Sequence, residues 1–160
     1  MNPIKITKGA IMESAYHVSN FFSNINAMRT LSDNPQLLNK ALQVKSQGDI
    51  VISKTLELTP SQLTNGTPEA IEMVRNGLMN SNVIVSHALQ DFKSNPGFET
   101  AQIFIDKAEL SIKVSNFVNE HVATGVNHFV TVSQAQMLDT SSVVNQGMTV
   151  YTAISSILGG

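Results

Sequence analysis

TPEAIEMVRNGLMNSNVIVSHALQDFK, residues 67–93, carries both a helix start signal and a sustained apolar period. It opens on a hydroxyl that can cap free helix amides. A proline follows where a missing N–H does no harm, and then an acid where the helix dipole is positive. Beyond this start, Ile71, Val74, Leu78, Val85, Ala88 and Phe92 recur in steps of three and four or their sums, the period of one helical face. The pattern predicts a helix from Pro68 to about Lys93 that packs through one stripe, as bundle helices do.

The same reading extends outward in both directions. Upstream, Ile11, Ala15, Val18, Phe22, Ile25 and Met28 predict a first helix from about Thr7 to Leu31. A second, from about Asn34 to Leu58, is weakened by Gly48 and by the β-branched Val51 and Ile52, and a kink is expected at Gly48. Downstream of Pro96 a fourth helix begins near Phe98 and extends as far as Leu138, with Phe104, Ala108, Val118, Val122 and Phe129 as its spine and Gly125 as a bend. The fifth, from about Thr140 to Leu158, places Val144, Met148, Tyr151, Ile154 and Leu158 on one stripe, although its β-branched residues also fit a strand. Turns fall near Pro35, between Pro60 and Pro68, near Pro96 and near Asp139. The expected fold is an all-α bundle of about five helices in a single domain spanning residues 1–160.

Glu13-x4-Val18-Ser19-Asn20-Phe21 recurs as Glu109-x4-Val114-Ser115-Asn116-Phe117, and Gln47-Gly48 recurs as Gln146-Gly147. Two explanations fit: a duplicated helical hairpin, or coincidence in a chain rich in Ser, Asn and Val.

Charged residues make up 14% of the chain, against about 25% in ordinary soluble domains. Ser, Thr, Asn and Gln supply the polar surface instead, so little long-range repulsion keeps copies apart. A net charge of −2, with no clustering of Lys and Arg, gives no footprint for nucleic acid. There is no cysteine, hence no disulfide, thiolate metal site or thiol nucleophile. Glu13, His17 and Asn20 interrupt any apolar region after Lys5 and Lys8, so no Sec signal peptide is expected; the protein would be cytoplasmic or exported by a non-Sec route. No run of about 18 apolar residues suits a membrane span.

The histidines, His17, His87, His121 and His128, are the first candidates for chemistry. His121 and His128 share a helical face but stand about 10 Å apart, too far for one metal ion with bonds of about 2 Å. Neither H-x3-H nor E-x2-H occurs, nor any G-x-S-x-G, P-loop or G-x-G-x-x-G. Glu13 and His17 could form an acid–base pair. Their repeat counterparts, Glu109 and Lys113, favour an ordinary surface ion pair worth about 0.3 kcal/mol. Seven scattered methionines read as core filling. The expectation is a non-enzyme with no catalytic residue, metal or cofactor.

The most informative feature is the charge-poor end of the chain. Residues 114–160 carry only Glu120 and Asp139 as formal charges. A solvent-facing helix normally devotes its outer face to charge. Neutral helices pack closely on several sides instead, either as central elements of a bundle or between subunits. A cysteine- and tryptophan-free helical chain of this kind is similar in composition to secreted helical assembly subunits of the flagellar rod, needle and flagellin type. Gln134-Ala135-x-x-Leu138 followed by Gln146-Gly147 and Tyr151 resembles, with a one-residue offset, the R-body family of assembly proteins, a likeness confined to residues 134–151.

The function expected is therefore self-association as a structural subunit, with the Val144, Met148, Tyr151, Ile154 and Leu158 stripe as core or interface. Its partner would be a second copy or another helical protein. The alternatives are a monomeric helical binding module, such as a secretion chaperone or adaptor taking an amphipathic helix, and a membrane-active protein. Against membrane insertion stand the amides of Asn127, Gln134, Gln136, Asn145 and Gln146.

Overall fold

The computed structural model describes residues 6–124. The expected fifth helix, the turn at Asp139 and the fourth helix beyond Thr124 lie outside the described residues. Within them the chain forms α1 (Lys8–Phe22), α2 (Ile25–Ser32), α3 (Pro35–Leu56), α4 (Pro60–Leu63), α5 (Pro68–Ser94) and α6 (Phe98–Thr124). The architecture is an all-α bundle.

α5 begins as its sequence predicts: Thr67 Oγ1 accepts from the Ala70 amide at 3.2 Å, Pro68 takes the first turn, and all six stripe residues are buried. On α6 the spine residues Phe104, Ala108, Val118 and Val122 are buried too.

The expected single helix from Thr7 to Leu31 is instead two, α1 and α2. Asn24 breaks it, because its side-chain oxygen accepts from the Asn26 amide at 2.9 Å and the Ala27 amide at 3.3 Å and so caps a new helix. The break resets the helical phase. Ala27 and Leu31 point into the core, while Ile25 and Met28, which continuous periodicity would bury, are exposed. The segment between Pro60 and Pro68, expected as a turn, contains one helical turn. There the Thr59 amide donates to Gln62 Oε1 at 2.8 Å and the Gln62 amide to Thr59 Oγ1 at 3.3 Å. α3 runs through Gly48 without interruption. This glycine serves proximity rather than bending: a β-carbon there would lie 3.3 Å from Ala15 Cβ and 3.4 Å from Ile112 Cδ1.

Long-range contacts fix the topology. α1 and α3 are antiparallel, with Gly48 against Ala15 and Lys8 Nζ donating to the Leu56 carbonyl at 3.0 Å. α5 and α6 form a second antiparallel pair. α1 lies parallel to α5 through Ser14–Asn82 and Phe21–Phe92, and α3 lies parallel to α6 through Lys40–Asp106 and Thr55–Asn119. At one end of the core Phe21 stacks on Phe104, ring centres 4.6 Å apart and planes 23° from parallel.

α6 touches every other described helix. Val114, Ser115, Phe117, Val118, Asn119 and Val122 are all buried. The scarcity of charge along this part of α6 is thus accompanied by burial of those six residues against their own chain. The repeat brings Val18 and Phe21 of α1 into one core with Val114 and Phe117 of α6, but Gln146-Gly147, the partner that a duplicated hairpin requires, lies outside the described residues.

Candidate functional site

Three features stand out once the side chains are placed: a polar layer inside the core, a groove between α3 and α6, and an open neutral face on α5.

The polar layer joins three helices. Ser14 Oγ donates to Asn82 Oδ1 at 2.6 Å and lies 2.6 Å from Ser111 Oγ, while Asn82 Nδ2 donates to the Ala10 carbonyl at 2.8 Å. With the Ser14 proton committed to Asn82, Ser111 donates to Ser14. Further along α6, Asn119 Nδ2 donates to Thr55 Oγ1 at 2.9 Å, and Thr55 donates to the Val51 carbonyl at 2.6 Å. Ser14, Asn82 and Ser111 are at most 3% exposed. Among the described residues no base or carboxylate hydrogen-bonds these hydroxyls. Their chemistry is positional. Sliding α1 along α5 would leave buried polar groups bare at about 1–3 kcal/mol each, so the layer locks the register. Apolar periodicity passes over these residues, yet a signal was present: Asn82 sits four residues after Leu78, and Ser111 three after Ala108, on the continuation of each stripe.

The histidines do not converge. His17 Nε2 meets Glu13 Oε2 at 3.3 Å on the rim of α1, and His17 Nδ1 is buried with no partner among the described residues. His87 is exposed on α5, His121 belongs to α6, and His128 lies outside the described residues. Among the described residues no three His, Cys, Asp or Glu side chains gather as a metal site would need. Glu109, expected beside Lys113, instead reaches across to Lys40 Nζ at 3.8 Å, where Asp106 also binds. The inter-helix contact prevails because Lys40 of α3 presents one ammonium to both acids of α6. The hydrogen bond that Lys40 Nζ donates to Asp106 Oδ1 raises the Lys40 pKa above its ordinary 10.5, opposed by partial burial and helped by the Glu109 charge.

Between α3 and α6 lies a groove of about 400 Å³. Val44 and Ile112 form its floor; Gln43 and Gln47 line one wall, and Glu109, Lys113 and Asn116 the other. Asn116 Oδ1 is buried and has no partner among the described residues.

The outer face of α5 is open and neutral. From Asn76 to Gln90 no residue carries a formal charge, though Asn76, Met79, Val83, His87 and Gln90 are exposed, Met79 by 52% and Val83 by 50%. Among the described residues no helix is long and apolar enough to cross a membrane. The stripe Val144, Met148, Tyr151, Ile154 and Leu158 lies outside the described residues, so α5 supplies the neutral surface whose geometry can be stated. No protein family, curated protein or solved structure matches this chain.

Proposed function

We propose that this protein is a non-enzymatic helical subunit that assembles with copies of itself, as filament-forming subunits do. The observation that carries this reading is the α5 face. Solvent-facing helices normally carry charge outward, whereas depletion of Lys, Glu and Asp together with exposed Met is the composition of an interface centre. Two α5 faces related by a two-fold axis would set Met79 and Val83 of one copy against the same pair in the other. A stable interface covers about 800 Å² per partner, more than one helix face of this length offers, so α5 would form the centre of a larger patch. Residues 125–160, with Asp139 as their only formal charge, have the composition to complete it.

Sedimentation or light scattering over a concentration series tests the proposal. The wild-type mass should exceed that of a monomer and rise with concentration, and Val83→Lys should return it to monomer with the helix content unchanged. A wild type that remains monomeric throughout, or a Val83→Lys and a Met79→Lys variant that both keep the assembled mass, would refute it. The second reading, a monomeric module that binds an amphipathic helix, is favoured by the groove between α3 and α6.

A further inference from the structure

Two asparagine-glycine steps lie among the described residues, Asn65-Gly66 and Asn76-Gly77. Glycine has no β-carbon to shield its amide nitrogen, so in both steps that nitrogen is sterically open to attack the carboxamide of the preceding asparagine. The fold treats the two steps oppositely. Asn76-Gly77 stands inside α5, where Gly77 is buried. Helical geometry ties its N–H into the backbone ladder and holds the chain at fixed dihedrals. Asn65-Gly66 stands in the connection between α4 and α5. Asn65 is exposed, and among the described residues no hydrogen bond restrains its carboxamide. The Gly66 amide donates to the Thr64 carbonyl at 3.0 Å, the narrow ring of a γ-turn around Asn65, which rotation of one peptide plane opens.

We propose that Asn65-Gly66 is a self-modification site at which the folded protein converts an amide into a carboxylate, with water as the sole co-reactant. The Gly66 nitrogen gives up its proton and bonds to Asn65 Cγ, closing a cyclic imide. The Cγ–Nδ2 bond breaks, and ammonia departs with that proton. Water then adds to either imide carbonyl. Opening at Cγ leaves aspartate, and opening at the peptide carbonyl leaves isoaspartate, whose main chain runs through the former side chain. Either product adds one negative charge to the formal −2 of the chain, two positions ahead of Thr67, the residue that caps α5. The aspartate form suits the positive end of the α5 dipole, whereas isoaspartate inserts a methylene into the connection. The site stands apart from the α5 face and does not depend on self-association.

The full-length protein, incubated in H₂¹⁸O at neutral and at mildly alkaline pH and then digested with trypsin in ordinary water, supplies the test. Cleavage after Lys54, Arg75 and Lys93 separates the two steps into peptides 55–75 and 76–93. In the folded protein Asn65 should turn into aspartate and isoaspartate carrying one ¹⁸O, faster at the higher pH because the attacking nitrogen must lose its proton. Asn76 should convert at least about tenfold more slowly, since it must first leave the helix. In denaturing urea the two rates should come together, which identifies the fold rather than the dipeptide as the cause of the difference. Asn65→Gln should remove the conversion from peptide 55–75, since the longer side chain closes a less favourable ring. An Asn65 that stays an amide in the folded chain, or folded-state rates for Asn65 and Asn76 that do not differ, would overturn the proposal.

Discussion

Two glycines on helices show how differently one residue type can be used. At Gly9 nothing lies within 4 Å of an added β-carbon, so Gly9→Ala should raise stability by about 0.5 kcal/mol through helix propensity and a less free unfolded chain. At Gly48 the same methyl would press on Ala15 Cβ, which cannot rotate away, and α1 and α3 would have to separate by a few tenths of an ångström. Gly48→Ala should therefore forfeit the propensity gain, and Gly48→Leu should cost 3 kcal/mol or somewhat more, the upper end of the overpacking range of about 1–3 kcal/mol. Urea unfolding of the three variants checks both statements. Asn82 is the other decisive residue. Asn82→Ala should cost about 2–4 kcal/mol, because it leaves a cavity and strips partners from Ser14 and the Ala10 carbonyl. Ser111→Ala should cost less, since Ser14 retains Asn82. Equal losses for Asn82→Ala and Ser111→Ala would contradict the layer as described.

For the helices, local chemistry written in adjacent residues was legible and long-range pairing was not. The start of α5 and its stripe could be read from Thr67-Pro68-Glu69 and the apolar spacing, since caps and periodicity act within a few residues. The break between α1 and α2 was hidden, because the apolar spacing continues through it while Asn24 acts through a side chain that competes with the helix backbone. Asn24→Ala should cost about 1 kcal/mol. The buried layer was only half hidden: the stripes place Asn82 and Ser111 on buried faces, but Ser14 and Ser111 are 97 residues apart and their pairing is written in no local spacing. The Lys40 contact between α3 and α6 carries a pH signature. Its pKa is raised in the folded state, so its contribution is fully present below the ordinary 10.5 and is lost as pH rises through the folded value. The Lys40 side chain is 40% exposed, so solvent screens the contact and the effect is at most about 1 kcal/mol. Alkaline titration of stability should show this loss in the wild type and not in Lys40→Met.

For the molecule as a whole, charge scarcity has two origins. On α6 the buried Val114, Ser115, Phe117, Val118, Asn119 and Val122 face the bundle itself, whereas residues 76–90 of α5 carry no formal charge although Met79 and Val83 face outward. Lysine at Ser142 or Thr149 extends the test to the chain end. In an assembly that buries these positions, an unpaired ammonium should cost several kcal/mol and reduce the mass in solution; in a monomer that leaves them exposed, the change should stay within about 0.5 kcal/mol. The position of α6, in contact with every other described helix yet the last of them in the chain, also has a temporal side. Phe21 leaves the ribosome 83 residues ahead of Phe104, the ring it stacks on. At about 5–20 residues per second Phe21 of α1 waits roughly 4–17 seconds for that ring, whereas α5 waits far less. Until α6 emerges, the apolar surface that α1, α3 and α5 present to it stays wet, so a nascent chain stalled before Phe98 should be held by chaperones, and one released after Thr124 should fold free of them.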